Sequence, residues 1–567
     1  MRIWLPMPKV RLQLPAVLIA LSLFTIVSNH LATAQRKGID TYAITNARIV
    51  PVSGPVIERG AIVIRNGLIV AVGASVSAPA DARIVDGSGL TVYPGLFDSY
   101  TSLGLPEPSP SPSPGSGFFQ TITRPPATNP AGTPNSTQPA GLQPEVMVED
   151  LIKPGGADIE SSRNVGITTA LTVPRTGIWI GQSAVINLAG DTPQQMIVRS
   201  PVAMHVGFTP LRGTYPGSLM GVFASLRQMF LDTERYRTAV QIYELAPRGL
   251  RRPETDKSLA ALIPVLEGKL PVVMYADRER EIERALDLAE EFKLHAIIAG
   301  GRESARLTDR LVRQNVPVLL SLNLPRRTTA ALPEADPEPL RLLRERVEAQ
   351  ETAGKLAVAH VRFAFQSGAL ANISDLLVNA GRTIENGLSR DDALRAFTIW
   401  PAEILGVANQ LGSLEAGKIA NLVVTRGELL DRNSRVVHVF IDGRPVDLKP
   451  ATPPEQARGN VSGAWSLSVN LGQNDIAATL NLQQEGDRLH GSIQGPLGTG
   501  EISSASVLPT GEVRFTVSLT AEGQTREATF AGTTSGNEIR GTVTIEGRAP
   551  GSFKATRLAS PAASPTP

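Results

Sequence analysis

The sequence contains no cysteine, which excludes disulfide bonds, thiolate metal sites, a cysteine nucleophile and a lipid-modified N-terminal cysteine. Positive and negative charges nearly cancel, leaving a net charge of +2, so nothing electrostatic favours nucleic acid as a partner. Histidine is also scarce, with 6 in 567 residues, and no His-x-His pair occurs anywhere. That absence excludes every metal centre built on such a pair.

The chain is instead rich enough in apolar residues to fold around several cores. Hydrophobic residues make up 42% of the sequence and charged residues 19%, which is typical of globular proteins. A length of 567 residues is too great for one ordinary domain. We therefore expect a globular protein of about two to four domains.

The first 34 residues have the pattern of an export signal. Positive charges precede the apolar run "LPAVLIALSLFTIV", and Ala32-Thr33-Ala34 offers a cleavage site before Gln35. The alternative is a membrane anchor, but the run is shorter than the roughly 20 residues that a spanning helix needs. No later segment is long and apolar enough to span a bilayer. The sequence thus predicts an exported protein, periplasmic or extracellular after cleavage, without a membrane span.

Two β-rich segments bracket a middle region of different character. Residues 42–93 contain alternating strands that turn at Asn66-Gly67, and residues 411–448 contain a similar hairpin that turns at Asp442-Gly443. Residues 94–410 alternate buried strands with amphipathic helices, as in "LPVVMYA" followed by "EREIERALDLAEEF". Such alternation and length predict an α/β fold, a (β/α)₈ TIM-like barrel, with a composite β-sandwich beside it.

The remaining segments are interpreted from composition. Residues 105–145 form a Pro/Ser-rich loop, either a lid over the barrel or a flexible insertion. Residues 449–459 are a linker, and residues 460–558 alternate as an antiparallel all-β C-terminal domain, a small barrel or sandwich. Residues 559–567 are a tail predicted to be disordered.

Five phrases, in order, carry a family resemblance: "GAIVIRNGLIVAVG", "VDGSGLTVYPGLFDSYTSLG", "NVGITTAL", "ALRAFTIWPAEILGV" and "LGSLEAGKIANLVV". Together they resemble the amidohydrolase superfamily, in its imidazolonepropionase-like branch, over residues 42 to about 448. The resemblance implies a (β/α)₈ barrel with a flanking β-sandwich. It also implies metal-assisted hydrolysis of non-peptide C–N bonds, in cyclic amides or dipeptides, and subunits that often pair.

The family's metal ligands are a His-x-His pair on strand 1, a lysine or carboxylate on strand 4, histidines on strands 5 and 6, and an aspartate on strand 8. Asp98, just before the first pair, matches the family's own aspartate. The resemblance places the ligand positions on Tyr100, Ser102, His205, Tyr275, Gly300 and Gly368, with Asp277 two residues beyond Tyr275. None of the six positions keeps the family's ligand.

We interpret these positions as a former metal site. Phenol and alcohol groups are poor ligands for a divalent ion compared with imidazole. The residues are expected to line a pocket and donate hydrogen bonds to a ligand, or simply to fill space. His205 alone is a candidate for a chemical role, whereas His295, His360, His438 and His490 are expected to be structural.

Three hypotheses of function follow. The first is an exported amidohydrolase relative, a pseudoenzyme that needs no cofactor and binds a small molecule or assembles with itself or an active relative. The second is an active C–N hydrolase rebuilt around His205, with a divalent metal such as zinc, or with Ser102, His205 and Asp98 or Asp277 as nucleophile, base and acid. The third gives the role to the β domain, which would bind an apolar ligand or a surface glycan.

Overall fold

The computed structural model describes most of the chain in two compact units. The described residues are 41–106, 136–211, 213–325, 339–368, 370, 372–431, 433–448, 461–470, 475–485, 488–496, 498–507, 512–521, 524–535, 537–545 and 551–558. The first unit runs to residue 324 and includes 347–448, and the second combines 325–346 with the residues after 448. The predicted signal peptide, the linker, the tail and residues 107–135 of the Pro/Ser-rich loop lie outside the described residues.

The first unit contains eighteen strands in its described part. They are β1 (Thr41–Ile49), β2 (Ile57–Arg65), β3 (Leu68–Gly73), β4 (Arg83–Asp86), β5 (Thr91–Pro94), β6 (Leu96–Thr101), β7 (Ile167–Thr172), β8 (Trp179–Gln182), β9 (Ala184–Asn187), β10 (Ile197–Arg199), β11 (Met204–Gly207), β12 (Val272–Ala276), β13 (Ala296–Gly300), β14 (Val318–Ser321), β15 (Phe363–Gln366), β16 (Leu422–Arg426), β17 (Arg435–Ile441) and β18 (Arg444–Val446).

Helices cover the barrel strands on the outside. They are α1 (Ala157–Asn164), α2 (Pro193–Met196), α3 (Leu219–Leu245), α4 (Lys257–Leu266), α5 (Glu279–Glu291), α6 (Thr308–Arg313), α7 (Leu340–Val358), α8 (Asp375–Glu385), α9 (Arg390–Ala396) and α10 (Ile399–Ile404). Helix α9 begins with a side-chain cap, since Ser389 Oγ accepts a hydrogen bond from the Asp392 amide at 3.0 Å. No helix in the described residues is both long enough and apolar enough to cross a bilayer.

Strands from both ends of the barrel segment form one flanking sheet. Its order is β18-β17-β16-β5-β1-β2-β3, with β4 beside β1, and the β5–β16 pairing joins the two chain segments. Both predicted hairpin turns have the positive φ angles that they require, 53° and 82° at Asn66 and Gly67, and 51° and 71° at Asp442 and Gly443. The composite β-sandwich predicted from residues 42–93 and 411–448 is therefore confirmed, as one sheet that contains strands of both segments.

The barrel follows from β6 to β15. Strands β11, β12, β13, β14 and β15 pair in parallel order, and β6 pairs in parallel with β7. Their buried runs, such as "VVMYA" in β12, are apolar on both faces, as parallel strands covered by helices require.

The third barrel strand departs from the expected parallel pattern. It is formed by β8 and β9, which are separated only by Ser183, and it pairs antiparallel with β7 on one side and with β11 on the other. Only residues 173–178 connect β7 to β8. A parallel crossover needs a dozen residues or more, so this short connection forces the chain to turn back.

Side chains help to close the barrel between its first and last strands. Ser99 Oγ donates to the Phe365 carbonyl at 2.7 Å, and the Ser367 amide donates to Asp98 Oδ1 at 2.9 Å. The Gly368 amide donates to the Tyr100 carbonyl at 3.3 Å. We refer to this junction of β6 with β15 and the residues that follow it as the seam.

The second unit contains a closed antiparallel barrel. A small barrel was one of the two forms predicted for the C-terminal domain, the other being a sandwich. Its eight strands are β19 (Gly463–Asn470), β20 (Asp475–Glu485), β21 (Arg488–Gly495), β22 (Gly498–Val507), β23 (Glu512–Ala521), β24 (Gln524–Ser535), β25 (Glu538–Ile545) and β26 (Gly551–Arg557). Inside, Phe530 stacks on Phe515 at 4.7 Å and meets Phe553 edge-on at 5.2 Å, measured between ring centroids. These rings fill interior space that a bound apolar ligand would otherwise occupy.

Candidate functional site

Five polar or aromatic side chains lie together at the carboxyl ends of the barrel strands, where barrel enzymes place their active sites. Asp98 and Tyr100 belong to β6, His205 to β11, Tyr275 to β12 and Gln366 to β15. We call these five residues the polar layer. Residues two apart on a strand share a face, and the apolar members of these same faces, such as Val273 and Ala364, pack together with Tyr100 and Tyr275 in one core. The polar layer therefore caps the barrel interior.

Asp98 is fully buried and is held by the seam. Its Oδ1 accepts hydrogen bonds from the Ser367 amide at 2.9 Å and the Tyr100 amide at 3.4 Å. Oδ2 has no hydrogen-bond partner within the described residues. Burial raises the pKa of the carboxyl to about 6, against the opposing effect of the bonds from Ser367 and Tyr100.

Three rings form an aromatic cluster beside Asp98. The Tyr100 ring meets the His205 ring edge-on at 5.5 Å and the Tyr275 ring at 5.8 Å, between centroids. His205 is fully buried, and burial lowers its pKa to about 3, so its imidazole is neutral at physiological pH. Burial raises the pKa of Tyr100, and burial followed by the Asp277 charge raises that of Tyr275 to about 12, so both phenols keep their protons.

Asp277 takes the space left by the missing side chain of Gly300. A Cβ on Gly300 would lie 2.7 Å from Asp277 Oδ1, and the residue has a φ of +91°. Asp277 Oδ2 accepts from Arg302 Nη2 at 3.3 Å. Burial raises the pKa of Asp277, whereas the Arg302 charge lowers it. The carboxylate is thus engaged with a cation supplied by the protein itself.

Gly368 is also shaped by its surroundings. Its φ is +48°, and a Cβ there would lie 2.5 Å from Gln366 Oε1. Gln366 is fully buried; its amide nitrogen donates to the Leu319 carbonyl at 3.3 Å, and its Oε1 has no partner among the described residues. Ser102 lies just beyond the end of β6 and is partly buried.

The structure brings most of the sequence-predicted positions together. Asp98, Tyr100, His205 and Tyr275 lie in one layer, Asp277 meets Gly300, and Gly368 is joined to Tyr100 through the seam. The sequence reasoning missed Gln366 and Arg302. A signal for Gln366 was present: it is the single polar residue of the otherwise apolar strand "FAFQ".

The donor set does not fit a divalent metal. The described residues contain no group of three or more His, Asp or Glu side chains able to hold an ion. One imidazole remains, Asp277 is paired with Arg302, and the two phenols stay protonated. Because protonated phenols and glycines replace imidazoles, the site keeps one unpaired carboxyl, Asp98, and one imidazole, His205, which is fewer donors than the family's ions require.

No nucleophile–base hydrogen bond is present in the site. Both ring nitrogens of His205 are buried without a partner in the described part of the chain, so Ser102, Asp98 and Asp277 do not bond to it. A catalytic set of this kind needs the base within hydrogen-bond reach of both the nucleophile and the orienting acid. In this arrangement His205 instead packs against a tyrosine ring.

A barrel with a flanking sheet built from the segments before and after it, and with polar residues at the strand ends, is the architecture of amidohydrolase-type barrels. The amidohydrolase family profile matches residues 352–446. An amidohydrolase from Thermotoga maritima MSB8 is 26% identical with a TM-score of 0.59, over 72% of this chain and 100% of that one. The profile match and this likeness support membership of the amidohydrolase superfamily.

Two further solved structures align over 72% of this chain and 100% of their own chains. A prolidase complexed with N-methylphosphonate-L-proline is 17% identical with a TM-score of 0.43, and a Xaa-Pro dipeptidase with bound methionine in the active site is 14% identical with a TM-score of 0.42. Likenesses this low carry no argument about substrate. No curated protein matches the sequence significantly.

Proposed function

We propose that this chain is an exported amidohydrolase-superfamily protein that has lost metal-dependent hydrolysis and acts by binding. The observation that supports the proposal is the replacement of the donor set. Tyr100 packs against both the single buried imidazole and Tyr275, and Asp277 fills the space beside Gly300 while paired with Arg302. Without a bound ion, no metal-activated water is available to attack a C–N bond.

The barrel does not need the metal to stay folded. Its interior is filled by packed side chains, and its seam is closed by hydrogen bonds from Ser99, Ser367 and Gly368. Relatives that the resemblance points to often pair subunits, so assembly with itself or with an active relative is part of the proposal. The exported state is supported by the charged, apolar and small-residue pattern of residues 1–34.

The test is elemental analysis combined with activity measurement. The full chain is purified without chelator, and zinc, manganese and iron are measured per polypeptide. Hydrolysis of Xaa-Pro dipeptides and cyclic amides is then assayed with and without added zinc. We expect substoichiometric metal and no turnover that zinc restores. One tightly held ion per chain, with hydrolysis that a chelator abolishes, contradicts the proposal and supports the alternative of a rebuilt hydrolase.

A further inference from the structure

The polar layer contains buried hydrogen-bonding atoms without partners. Asp98 Oδ2, Gln366 Oε1 and both ring nitrogens of His205 have no hydrogen bond within the described residues, and all three side chains are fully buried. A buried polar group without a hydrogen-bond partner destabilises the folded chain. Two of these groups are acceptors only, and neutral imidazole adds one more acceptor nitrogen. The layer therefore favours an occupant that donates hydrogen bonds.

These atoms surround Tyr100. Asp98 lies two residues before Tyr100 on β6, and its Oδ1 accepts from the Tyr100 amide. The His205 ring contacts the Tyr100 ring at 5.5 Å. Gln366 directly precedes Ser367 and Gly368, whose amides bond to Asp98 Oδ1 and to the Tyr100 carbonyl. The free acceptors thus belong to one small region of the barrel interior.

The charge of this region selects the sign of the occupant. Burial raises the pKa of Asp98 and the hydrogen bonds from Ser367 and Tyr100 lower it, and no cationic side chain contributes among the described residues. The nearby Arg302 is paired with Asp277, and His205 is neutral. The Asp98 carboxylate would repel an anion. A divalent ion would find no second carboxylate there that is free of a cation, because Asp277 is paired with Arg302. A single positive charge is what the region lacks.

Aromatic faces favour an organic cation over a bare metal ion. Tyr100 and Tyr275 lie 5.8 Å apart between centroids and are partly buried, as is Ser102 beyond them. Cations bind over tyrosine rings within about 6 Å of the centroid.

We propose that the polar layer binds the ammonium group of a small primary amine. The three N–H donors of an alkylammonium match Asp98 Oδ2, Gln366 Oε1 and the unprotonated nitrogen of His205. Tyr100 and Tyr275 then cover its alkyl chain. This ligand class rests on the proposed function, because a divalent ion in the same layer would exclude it.

The experiment uses the full chain in phosphate buffer free of Tris and other amines. Binding of n-butylammonium is measured by titration calorimetry at pH 7.5. 1-Butanol and butyrate serve as neutral and anionic probes of the same length, and sodium and potassium chloride test a bare monovalent ion. The variants are Asp98→Asn and Gln366→Met. Asp442→Asn is the control, since Asp442 is a partly buried carboxyl in the turn between β17 and β18 that accepts a hydrogen bond from Asn187.

We expect n-butylammonium to bind and the two other butyl probes and both salts not to compete. A charge-assisted hydrogen bond is worth about 1.5–3 kcal/mol, so Asp98→Asn should weaken binding about ten- to a hundredfold. Gln366→Met should weaken it less, and Asp442→Asn should leave it unchanged. Equal binding of 1-butanol, no loss in either layer variant, or no binding of the amine overturns the inference.

The two proposals fail in different ways. A stoichiometric divalent ion in the purified chain contradicts the proposed function. A metal-free chain that does not bind n-butylammonium leaves the proposed function standing and removes only the amine.

Discussion

Gly300 shows how one residue fixes the arrangement of its neighbours. It ends β13 with a φ of +91°, and its missing side chain leaves the space that the Asp277 carboxylate occupies. Any larger residue must both adopt an unfavourable backbone conformation and displace that carboxylate from Arg302. The glycine is therefore required by the present site.

We expect Gly300→Ala to lower the free energy of unfolding by roughly 1–3 kcal/mol more than Gly417→Ala does. Gly417 has the same φ of +91°, but a Cβ added there would have no other atom within 4 Å, so this variant measures backbone strain alone. Urea unfolding of both variants measures the difference. If both variants lose the same free energy of unfolding, the contact with Asp277 does not contribute to the effect.

Asp98 is expected to make stability depend on pH. Burial raises the pKa of its carboxyl from 3.8 to about 6, so the folded chain holds this proton more tightly than the unfolded chain does. The stabilisation from the proton is complete below pH 3.8 and is lost as the pH rises through about 6. Above that range the ionised, buried carboxylate destabilises the folded state.

Asp98→Asn removes the buried negative charge while keeping a side-chain oxygen that can accept the hydrogen bond from the Ser367 amide. In amine-free buffer at pH 7.5 the variant should unfold with a free energy roughly 2–3 kcal/mol higher than that of the parent chain. The advantage should disappear near pH 4, where the parent carboxyl is protonated. Urea unfolding across this pH range measures it, and a difference that does not change with pH contradicts the assignment.

At the scale of elements, local sequence patterns predicted where strands and turns occur better than they predicted the direction of each strand in its sheet. The Asn66-Gly67 and Asp442-Gly443 hairpins and strand β12 are confirmed, because positive φ angles and apolar runs are local properties. The segment "RESARLTDRLVRQN" forms a 3₁₀ turn (Ser304–Leu307) followed by α6, not one continuous helix. The antiparallel direction of β8 and β9 was not predicted, since the apolar pattern of "WIGQSAVIN" fits a parallel and an antiparallel strand equally well.

The candidate site was predictable in position but not in contacts. The family pattern placed Tyr100, His205 and Tyr275 at the strand ends, where they do meet. It gave no information about the seam, because the Ser367–Asp98 bond joins residues 269 positions apart. Gln366 and Arg302 were missed for the same reason: their roles arise only from neighbours on other strands.

At the scale of the whole molecule, export remains a prediction from residues 1–34. We expect the mature chain in the periplasmic or extracellular fraction, with Gln35 as its first residue by N-terminal sequencing. Ala34→Arg should block cleavage, because the processing site requires small residues. An intact chain beginning at Met1 in the membrane fraction would instead support the anchor alternative.

The pairing of Asp277 with the empty position at Gly300 has a consequence for substitutions in the site. A mutation that placed histidine at residue 300 would meet the Asp277 carboxylate, and one that placed histidine at residue 100 would remove the ring that contacts His205. Each of these histidines is thus unfavourable while the neighbouring residues keep their present identities. Building the family's ligand set into this chain would therefore require several simultaneous substitutions.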